Sequence, residues 1–251
     1  MNPKSGSFVI DLRLSRHFTM IALGVPEKEI LNTIYLQVLG NHLKSFDNSF
    51  QSYGKRIVDA TSLVFNGIAL SAQFMPTAKK FHYQFNMRDF SKIISKVMQA
   101  EANVYRGNTL GLARLWAHEC HRTYLDRLIL PEDITKYMEF MNNACKEFSD
   151  FKPEAIFAEP LIYTNFISTS KGHEAAYLNV KDMDDLKAVL EQKLADYNDQ
   201  IATMDLVLFS IACEHITRIC RIIETPFGNA LLVGVGGSGK QSLSKLSAFI
   251  L

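Results

Sequence analysis

One glycine-rich loop constrains the fold of this 251-residue chain more than any other feature. It runs from Gly234 to Lys240 as GVGGSGK and matches the pattern G-x-x-x-x-G-K. An apolar stretch from Ala230 to Val235 leads into it, and a helix-forming stretch follows. A strand, a glycine loop and a helix in this order form the context in which such a loop binds phosphate. The sequence therefore predicts a P-loop in an α/β fold.

Each residue type in this loop suits phosphate binding. Glycines let backbone N–H groups turn inward around a phosphate, where side chains would obstruct the approach. Lys240 would bring its charge to the β- and γ-phosphates, and the next helix adds the positive end of its dipole. A glycine-rich turn that binds nothing is the structural alternative. The predicted binding residues are Gly234, Gly236, Gly237, Ser238, Gly239, Lys240 and Gln241.

The residue after the lysine departs from the usual pattern. That position expects Ser or Thr, whose hydroxyl binds Mg²⁺, and this chain has Gln241. An amide oxygen can ligate a cation, but the longer side chain changes the geometry, and Ser242 stands one position late. The sequence predicts an intact phosphate grip, with Gln241 as the one candidate Mg²⁺ ligand and with hydrolysis in question.

The place of the loop in the chain adds a second constraint. Lys240 stands 11 residues before the last residue, Leu251 (251 − 240). A nucleotide-binding sheet cannot be completed in so short a stretch. Either the motif arises by chance or these residues are part of something larger. We expect the second, and we expect the chain alone to show no ATPase activity above background.

Charge and composition exclude several classes of protein. The 27 Lys and Arg residues nearly balance the 26 Asp and Glu residues, which removes a global electrostatic basis for binding nucleic acid or an anionic membrane. Hydrophobic residues make up 47% of the chain, enough to form a core. We expect no signal peptide and no membrane span. Four scattered cysteines predict reduced thiols in a cytoplasmic protein.

Hydrophobic periodicity predicts that residues 26–150 form a bundle of five helices. The first opens at Pro26 and has one apolar face, formed by Ile30, Ile34, Val38 and Phe46. The others are predicted over about residues 56–74, 86–98, 110–128 and 131–148, with Asn86 as a helix cap.

Segments of different composition flank this bundle. Residues 1–25 contain a predicted buried strand over His17–Leu23. Residues 151–200 are predicted to be a junction with a candidate strand at Leu161–Tyr163. A long helix is expected from Asp182 to Glu224, with a break near Asn198. Residues 201–251 would begin the α/β portion that carries the loop.

Residues 118–121, with the sequence His-Glu-Cys-His, contain side chains that often bind metal ions. They lack the two histidines at i and i+4 of H-E-x-x-H, and no second cluster lies near them in the sequence. We therefore do not predict a zinc site.

The residues from Gly228 to Leu243 (GNALLVGVGGSGKQSL) resemble the start of the fourth AAA+ module of dynein heavy chains, especially the axonemal type. The glutamine after the lysine is part of this resemblance. Phe85–Asp89 is similar to the start of the sensor-2 helix in the small subdomain of the third module. Met1–Pro3 and Arg13–Phe18 are similar to the sensor-1 strand and arginine-finger region of that module. The resemblance covers the whole chain in the family's order.

This resemblance implies α/β P-loop AAA+ fragments flanking a mostly α-helical small, or lid, subdomain. It also implies ATP or ADP as ligand and gives roles to single residues. Asn2 would sense the γ-phosphate, and Arg88 would contact the nucleotide of the third module. Arg16 would be an arginine finger that reaches the preceding module, with Arg13 as the competing candidate.

Each of these residues also has a structural alternative. Arg16 could pair with a surface carboxylate. Asn2 could have no role. Arg88 could form a structural ion pair, for which the candidate partners are Asp89, Asp126 and Glu132.

For the intact protein, the resemblance implies ATP-driven movement along microtubules in the axoneme of cilia or flagella. The implied partners are the rest of the heavy-chain ring, and intermediate chains, light chains and microtubules through other parts of the protein. One alternative is a nucleotide-holding scaffold without hydrolysis at this site, which Gln241 favours. The other is a fragment of a different multi-module AAA+ ATPase.

Overall fold

The computed structural model describes residues 11–24, 26–167, 176–226 and 228–251. The chain packs as two compact units. The first comprises residues 1–98 and 119–153, and the second comprises residues 99–118 and 154–251. Asn2, a predicted site residue, lies outside the described residues.

Helices dominate both units. The α-helices of the described ranges are α1 Leu12–Ser15, α2 Lys28–Leu43, α3 Asn48–Ala69, α4 Met87–Val97, α5 Ala102–Tyr105, α6 Thr109–Thr123, α7 Pro131–Ala144, α8 Pro153–Ile156, α9 Met183–Gln200, α10 Ser210–Glu224 and α11 Lys240–Ile250. Short 3₁₀ turns occupy Ala72–Phe74, Leu125–Arg127 and Cys145–Glu147. The two short strands are β1 Tyr163–Thr164 and β2 Leu178–Asn179. They pair antiparallel, with Tyr163 opposite Asn179.

The five helices predicted over residues 26–150 are formed, but residues 99–118 belong to the second unit. Residues 26–150 contain five helices of 11 to 22 residues and one additional single turn, α5. The Asn86 side chain accepts a hydrogen bond from the Arg88 N–H, and Asp89 accepts one from the Asn86 N–H. This capping box begins α4 as predicted. Pro131 begins α7, also as predicted.

The predicted core face of α2 is wrong. Ile30, Ile34 and Val38 are 44% to 52% exposed, although Phe46, just after the helix, is buried. The residues that α2 buries are Leu31, Leu39 and Leu43. Two apolar stripes run along this helix, and packing against α3 selects the leucine stripe. Helix α3 also begins eight residues earlier than predicted, because Phe50 and Tyr53 extend its buried face.

The strands predicted at His17–Leu23 and Ala230–Val235 are not formed. Both segments are extended or irregular, and their large apolar side chains are mostly exposed. A strand needs a neighbour to accept and donate its backbone hydrogen bonds. No strand of the described residues pairs with either segment. Of the predicted α/β portions, the loop and its helix are therefore present without a sheet.

The predicted long helix is two helices, with the break close to its expected place. Helix α9 ends at Gln200, and α10 begins at Ser210. The Asn198 side-chain oxygen accepts a hydrogen bond from the Met204 N–H at 2.7 Å, and its amide group donates to the Met204 carbonyl oxygen at 3.4 Å. The side chain thus takes the place of a neighbouring backbone strand and holds the intervening segment extended.

Each unit has its own core. Residues of α3, α4 and α7 form much of the first, with Phe50, Phe90 and Tyr137 fully buried. The second core gathers apolar side chains from β1, α9, α10 and α11 and their flanks, including Leu190, Ile216 and Leu246. In the part of the chain that is described, no helix is long and apolar enough to cross a membrane.

Candidate phosphate-binding loop

The backbone of the glycine loop has the conformation that its sequence predicts. Gly237 has φ = 76° and Gly239 has φ = 74°, in the left-handed region where glycine alone is unstrained. Gly239 is the N-cap of α11, which begins at Lys240. The chain therefore turns sharply and enters the helix directly after the last glycine.

The Lys240 ammonium group lies inside this turn. Its Nζ atom donates to the carbonyl oxygens of Gly234 at 2.9 Å and Val235 at 2.6 Å, and to the Ser238 hydroxyl at 3.1 Å. All of these acceptors are neutral. Among the described residues, no carboxylate forms an ion pair with Lys240. A full positive charge thus lies at the centre of the loop without an anionic partner from that part of the chain.

The helix after the loop is firmly anchored in the core of the second unit. Leu246 and Ser247 are fully buried, and the Ser247 hydroxyl donates to the Leu243 carbonyl oxygen at 2.7 Å. The Phe249 ring packs edge-on against Tyr197 of α9, with ring centroids 5.4 Å apart. This anchoring fixes the direction in which the first turn of α11 points.

The first turn of α11 offers anion-binding groups and little for a metal ion. The first N–H groups of a helix have no partner within that helix and point along its axis. Gln241 is exposed, and its amide oxygen is one neutral ligand. No group of three or more His, Cys, Asp or Glu side chains is arranged for metal binding within the described ranges. The residues present fit a phosphate, and Gln241 as a Mg²⁺ ligand stays a prediction.

The two predicted nucleotide-sensing arginines lie in the first unit. Arg88 is exposed at the start of α4. Two of its three candidate structural partners are engaged elsewhere, since Asp89 pairs with Arg127 at 2.7 Å and Asp126 pairs with Arg122 at 3.4 Å. In the described part of the chain, the Arg88 guanidinium group forms no ion pair, so that alternative is not supported.

Arg16 is exposed just after α1. Its Nε donates to the neighbouring His17 ring at 3.3 Å. The competing candidate, Arg13, is also exposed, and its backbone N–H is capped by Asp11. No surface carboxylate pairs with either side chain within the described ranges. The structure thus brings Gly234–Gln241 together as one loop, and it forms no contact between Arg16 and Arg88.

Sequence reasoning missed a buried polar cluster in the lid. The Asp133 carboxylate is 1% exposed and accepts hydrogen bonds from Lys80, Gln73 and Tyr83 at 2.8 to 3.0 Å. Burial raises the pKa of Asp133, but these hydrogen bonds outweigh burial and hold that pKa below its ordinary value. Asp133 lies 50 to 60 residues from the other three in sequence, and no local pattern links it to them.

The four residues of the cluster at 118–121 are all buried. The His118 Nδ1 atom lies 2.9 Å from the Leu161 carbonyl oxygen, and the His121 Nδ1 atom lies 3.1 Å from the Tyr137 hydroxyl. Burial raises the pKa of the Cys120 thiol well above its ordinary range. Both rings and the thiol are buried within the fold, and the expectation that no zinc binds here stays a prediction.

Two family models match separate parts of the chain. Residues 204–251 match the P-loop containing dynein motor region D4. Residues 57–158 match the AAA+ lid domain. The first match contains the whole glycine loop with its helix, and the second covers most of the helical bundle.

Curated relatives align with the chain from end to end. The flagellar outer arm dynein beta chain of Chlamydomonas reinhardtii is 44% identical over 254 residues. Dynein axonemal heavy chain 17 of Homo sapiens is 44% identical over 253 residues, and dynein axonemal heavy chain 11 of Sus scrofa is 43% identical over 253 residues. Each alignment covers 100% of this chain and 6% of the relative. The chain thus spans a small part of the length of the relatives that it matches.

Proposed function

We infer from the axonemal dynein heavy chain family, to which this chain belongs, that the loop from Gly234 to Lys240 binds the phosphates of ATP or ADP. The observation that carries this proposal is the Lys240 ammonium group, which is held at the centre of the loop by neutral acceptors alone. A cation placed in this way can exchange those acceptors for a phosphate without breaking an ion pair.

The exchange is favourable for a simple reason. A hydrogen bond from an ammonium group to an anionic oxygen is about twice as strong as one to a neutral oxygen. The N–H groups at the start of α11 and the left-handed glycines would complete the cradle around the β-phosphate. Bound Mg²⁺ would neutralise phosphate charge, with the Gln241 amide oxygen as the candidate ligand from this loop.

Gln241 makes a nucleotide-holding site the second candidate function. The loop can grip phosphates without the hydroxyl that usually helps to place Mg²⁺. Binding without turnover would then bias the conformation of the ring and leave energy conversion to other sites. Hydrolysis assigned to this site would count against this second function.

For the remaining residues we propose the roles that the family resemblance implies. Arg88 would contact the nucleotide of the third module, and Arg16 would act as an arginine finger toward the module before it. Their exposure and their lack of carboxylate partners within the described residues support both proposals. Asn2 would sense the γ-phosphate of the third module.

We further propose where these residues belong in a complete heavy chain. Residues 1–25 would end the large subdomain of the third AAA+ module, 26–150 would be its lid, 151–200 the junction, and 201–251 the start of the fourth module. The whole protein would drive microtubule-based movement in the axoneme of cilia or flagella. Its partners would be the rest of the ring, intermediate and light chains, and microtubules.

The test is nucleotide binding by the purified chain and its Lys240→Ala variant. Affinity for ADP and ATP, measured by fluorescence anisotropy of labelled nucleotide, is expected to fall about 10- to 100-fold because a charge-assisted hydrogen bond is lost. Lys245→Ala removes an exposed lysine of the same helix and is the matched control. Equal affinity of the Lys240→Ala variant and the parent would overturn the proposal. Measurable ATP turnover by the parent would contradict the expectation that these residues form an incomplete enzyme.

A further inference from the structure

One helix, α10, frames the phosphate loop from both sides. The chain leaves the end of α10 at Glu224 and enters the segment that leads to the loop. After the loop, α11 packs back against α10, and the Cys220 thiol donates to the Ser247 carbonyl oxygen at 3.8 Å. The segments that enter and leave the loop are therefore both connected to α10, the first by chain continuity and the second by packing.

On the entry side, Thr225 and Gly228 make close contacts at the end of α10. The Thr225 hydroxyl donates to the Arg221 carbonyl oxygen at 2.9 Å, and the Gly228 N–H donates to the Thr225 carbonyl oxygen at 2.7 Å. A Cβ atom at Gly228 would lie 1.8 Å from the Ile222 carbonyl oxygen. No side chain fits there, so the turn between α10 and the loop segment depends on the close approach of two backbones.

A side chain from another element holds the end of α10. The Asn165 amide group donates to the Glu224 carboxylate at 3.0 Å. Asn165 follows β1 directly, and β1 is paired with β2. We call this pair of strands the β1–β2 ribbon. The Val180 N–H also donates to the Ile162 carbonyl oxygen at 2.8 Å, which extends the pairing by one hydrogen bond beyond Tyr163 and Asn179. The ribbon thus reaches the last residue of α10, immediately before the entry turn.

We propose that Asn165 and Glu224 are positioning residues that couple the β1–β2 ribbon to the phosphate affinity of the loop. The proposal rests on the nucleotide binding proposed above and goes beyond it by naming a contact outside the loop. Neither residue touches phosphate. Each acts through the end of α10 and the Gly228 turn, which set where the loop begins relative to Lys240.

The size of the effect follows from the contact. Phosphate binding requires the lysine and the backbone N–H groups to converge on one point, and a misplacement of about 1 Å weakens such a constellation strongly. Loss of one hydrogen bond to a charged acceptor allows the end of α10 to relax. We expect ADP affinity to fall about three- to tenfold.

The experiment is a double-mutant cycle with ADP and AMP as probes. Asn165→Ala and Glu224→Ala are each expected to weaken ADP binding by the factor above, and the double variant no further than either single one. Glu224→Gln keeps an oxygen acceptor and is expected to bind ADP as the parent does. Asn179→Ala removes an asparagine from β2 whose side-chain oxygen has no hydrogen-bond partner among the described residues, and it is the matched control.

AMP separates positioning from general damage, because it lacks the β-phosphate that the loop grips. The coupled variants are expected to change AMP affinity less than twofold (an effect below about 0.4 kcal/mol), with unfolding midpoints recorded in parallel. Equal losses for ADP and AMP, additive losses in the cycle, or no rescue by Glu224→Gln would each overturn the coupling. If Lys240→Ala leaves ADP affinity intact, the proposed function itself fails. If Lys240→Ala weakens binding and Asn165→Ala does not, only the coupling fails.

Discussion

Two lysines, Lys80 in the helical region and Lys240 in the glycine loop, have contrasting surroundings. The Lys80 Nζ atom lies 2.8 Å from the Asp133 carboxylate, and its side chain is 14% exposed. The Lys240 Nζ atom has a similar number of acceptors, but all of them are neutral. The first charge is neutralised within the chain. The second is held in place with its charge uncompensated by the described residues.

This difference predicts that Lys80 matters mainly for the stability of the fold and Lys240 mainly for the binding of an anion. A buried ion pair with further hydrogen bonds resists disruption, because removal of one partner leaves the other charged in an apolar environment. An ammonium group that is held by carbonyl oxygens loses little when an anion replaces them. Lys80 therefore fixes the loop that carries it onto α7. Lys240 could instead exchange its neutral acceptors for an anion.

The largest expected effect is on the free energy of unfolding, when the buried ion pair of Lys80 and Asp133 is removed. Asp133→Ala should lower the free energy of unfolding by about 3 kcal/mol, because the Lys80 charge is left without its partner in a mostly buried site. Lys240→Ala should change it by less than about 0.5 kcal/mol, since its contacts lie near the surface. Urea unfolding followed by circular dichroism measures both. Equal losses in the two variants would remove the distinction.

A pair of arginines sharpens the same comparison. Arg127 pairs with buried Asp89 and donates to the Thr123 carbonyl oxygen at 2.8 Å, so Arg127→Ala should cost about 2 kcal/mol. Arg88→Ala, with no ion pair in the described residues, should cost less than about 0.5 kcal/mol. Thermal unfolding of the two variants side by side is the measurement. A large loss for Arg88→Ala would reveal a structural role and weaken its proposed role as a nucleotide sensor.

Left-handed glycines test whether backbone strain in the loop matters for binding. Gly239→Ala and Gly107→Ala introduce a side chain at φ = 74° and φ = 65°, and each should lower stability by about 1 kcal/mol. Only Gly239→Ala should also weaken ADP binding, because it distorts the first turn of α11. Calorimetry and ADP titration on both variants separate strain from function. If Gly107→Ala weakened binding as much, the effect would not be specific to the loop.

The smallest expected effect is a pH dependence. Burial raises the pKa of Asp133, and hydrogen bonds from Lys80, Gln73 and Tyr83 lower it further than burial raises it, so its folded pKa lies below the ordinary value of 3.8. The ionised carboxylate therefore stabilises the fold above its unfolded pKa, and this contribution is lost as the pH falls toward the folded pKa. Unfolding between roughly pH 5 and pH 3 should show a steeper loss for the parent than for Asp133→Asn. Parallel curves would contradict the lowered pKa.

Local signals predicted the parts of the fold that depend on local physics. Asn86 and Asp89 cap α4, Pro131 opens α7, and the glycines before Lys240 form the turn, because each conformation is decided by side chains a few residues apart. The face of α2 could not be predicted in this way. Two apolar stripes run along this helix, one beginning at Ile30 and the other at Leu31. Packing against α3 decides which of the two is buried.

The strand predictions at His17–Leu23 and Ala230–Val235 failed for a related reason. An apolar stretch such as Ala230–Val235 has strand-forming composition, but its backbone groups need neighbours that local sequence cannot supply. The polar cluster around Asp133 was missed because its members come together only after the lid has folded. The candidate phosphate loop could be predicted because a single short segment, Gly234 to Lys240, carries the whole pattern.

The exposed segment before the loop has a consequence for the behaviour of the chain in solution. Leu231, Val233 and Val235 are 78% to 90% exposed on an extended backbone without a partner strand among the described residues. Such an edge is a template onto which another extended peptide can add. In solution, a strand that paired with this stretch would satisfy its backbone groups and cover its apolar side chains.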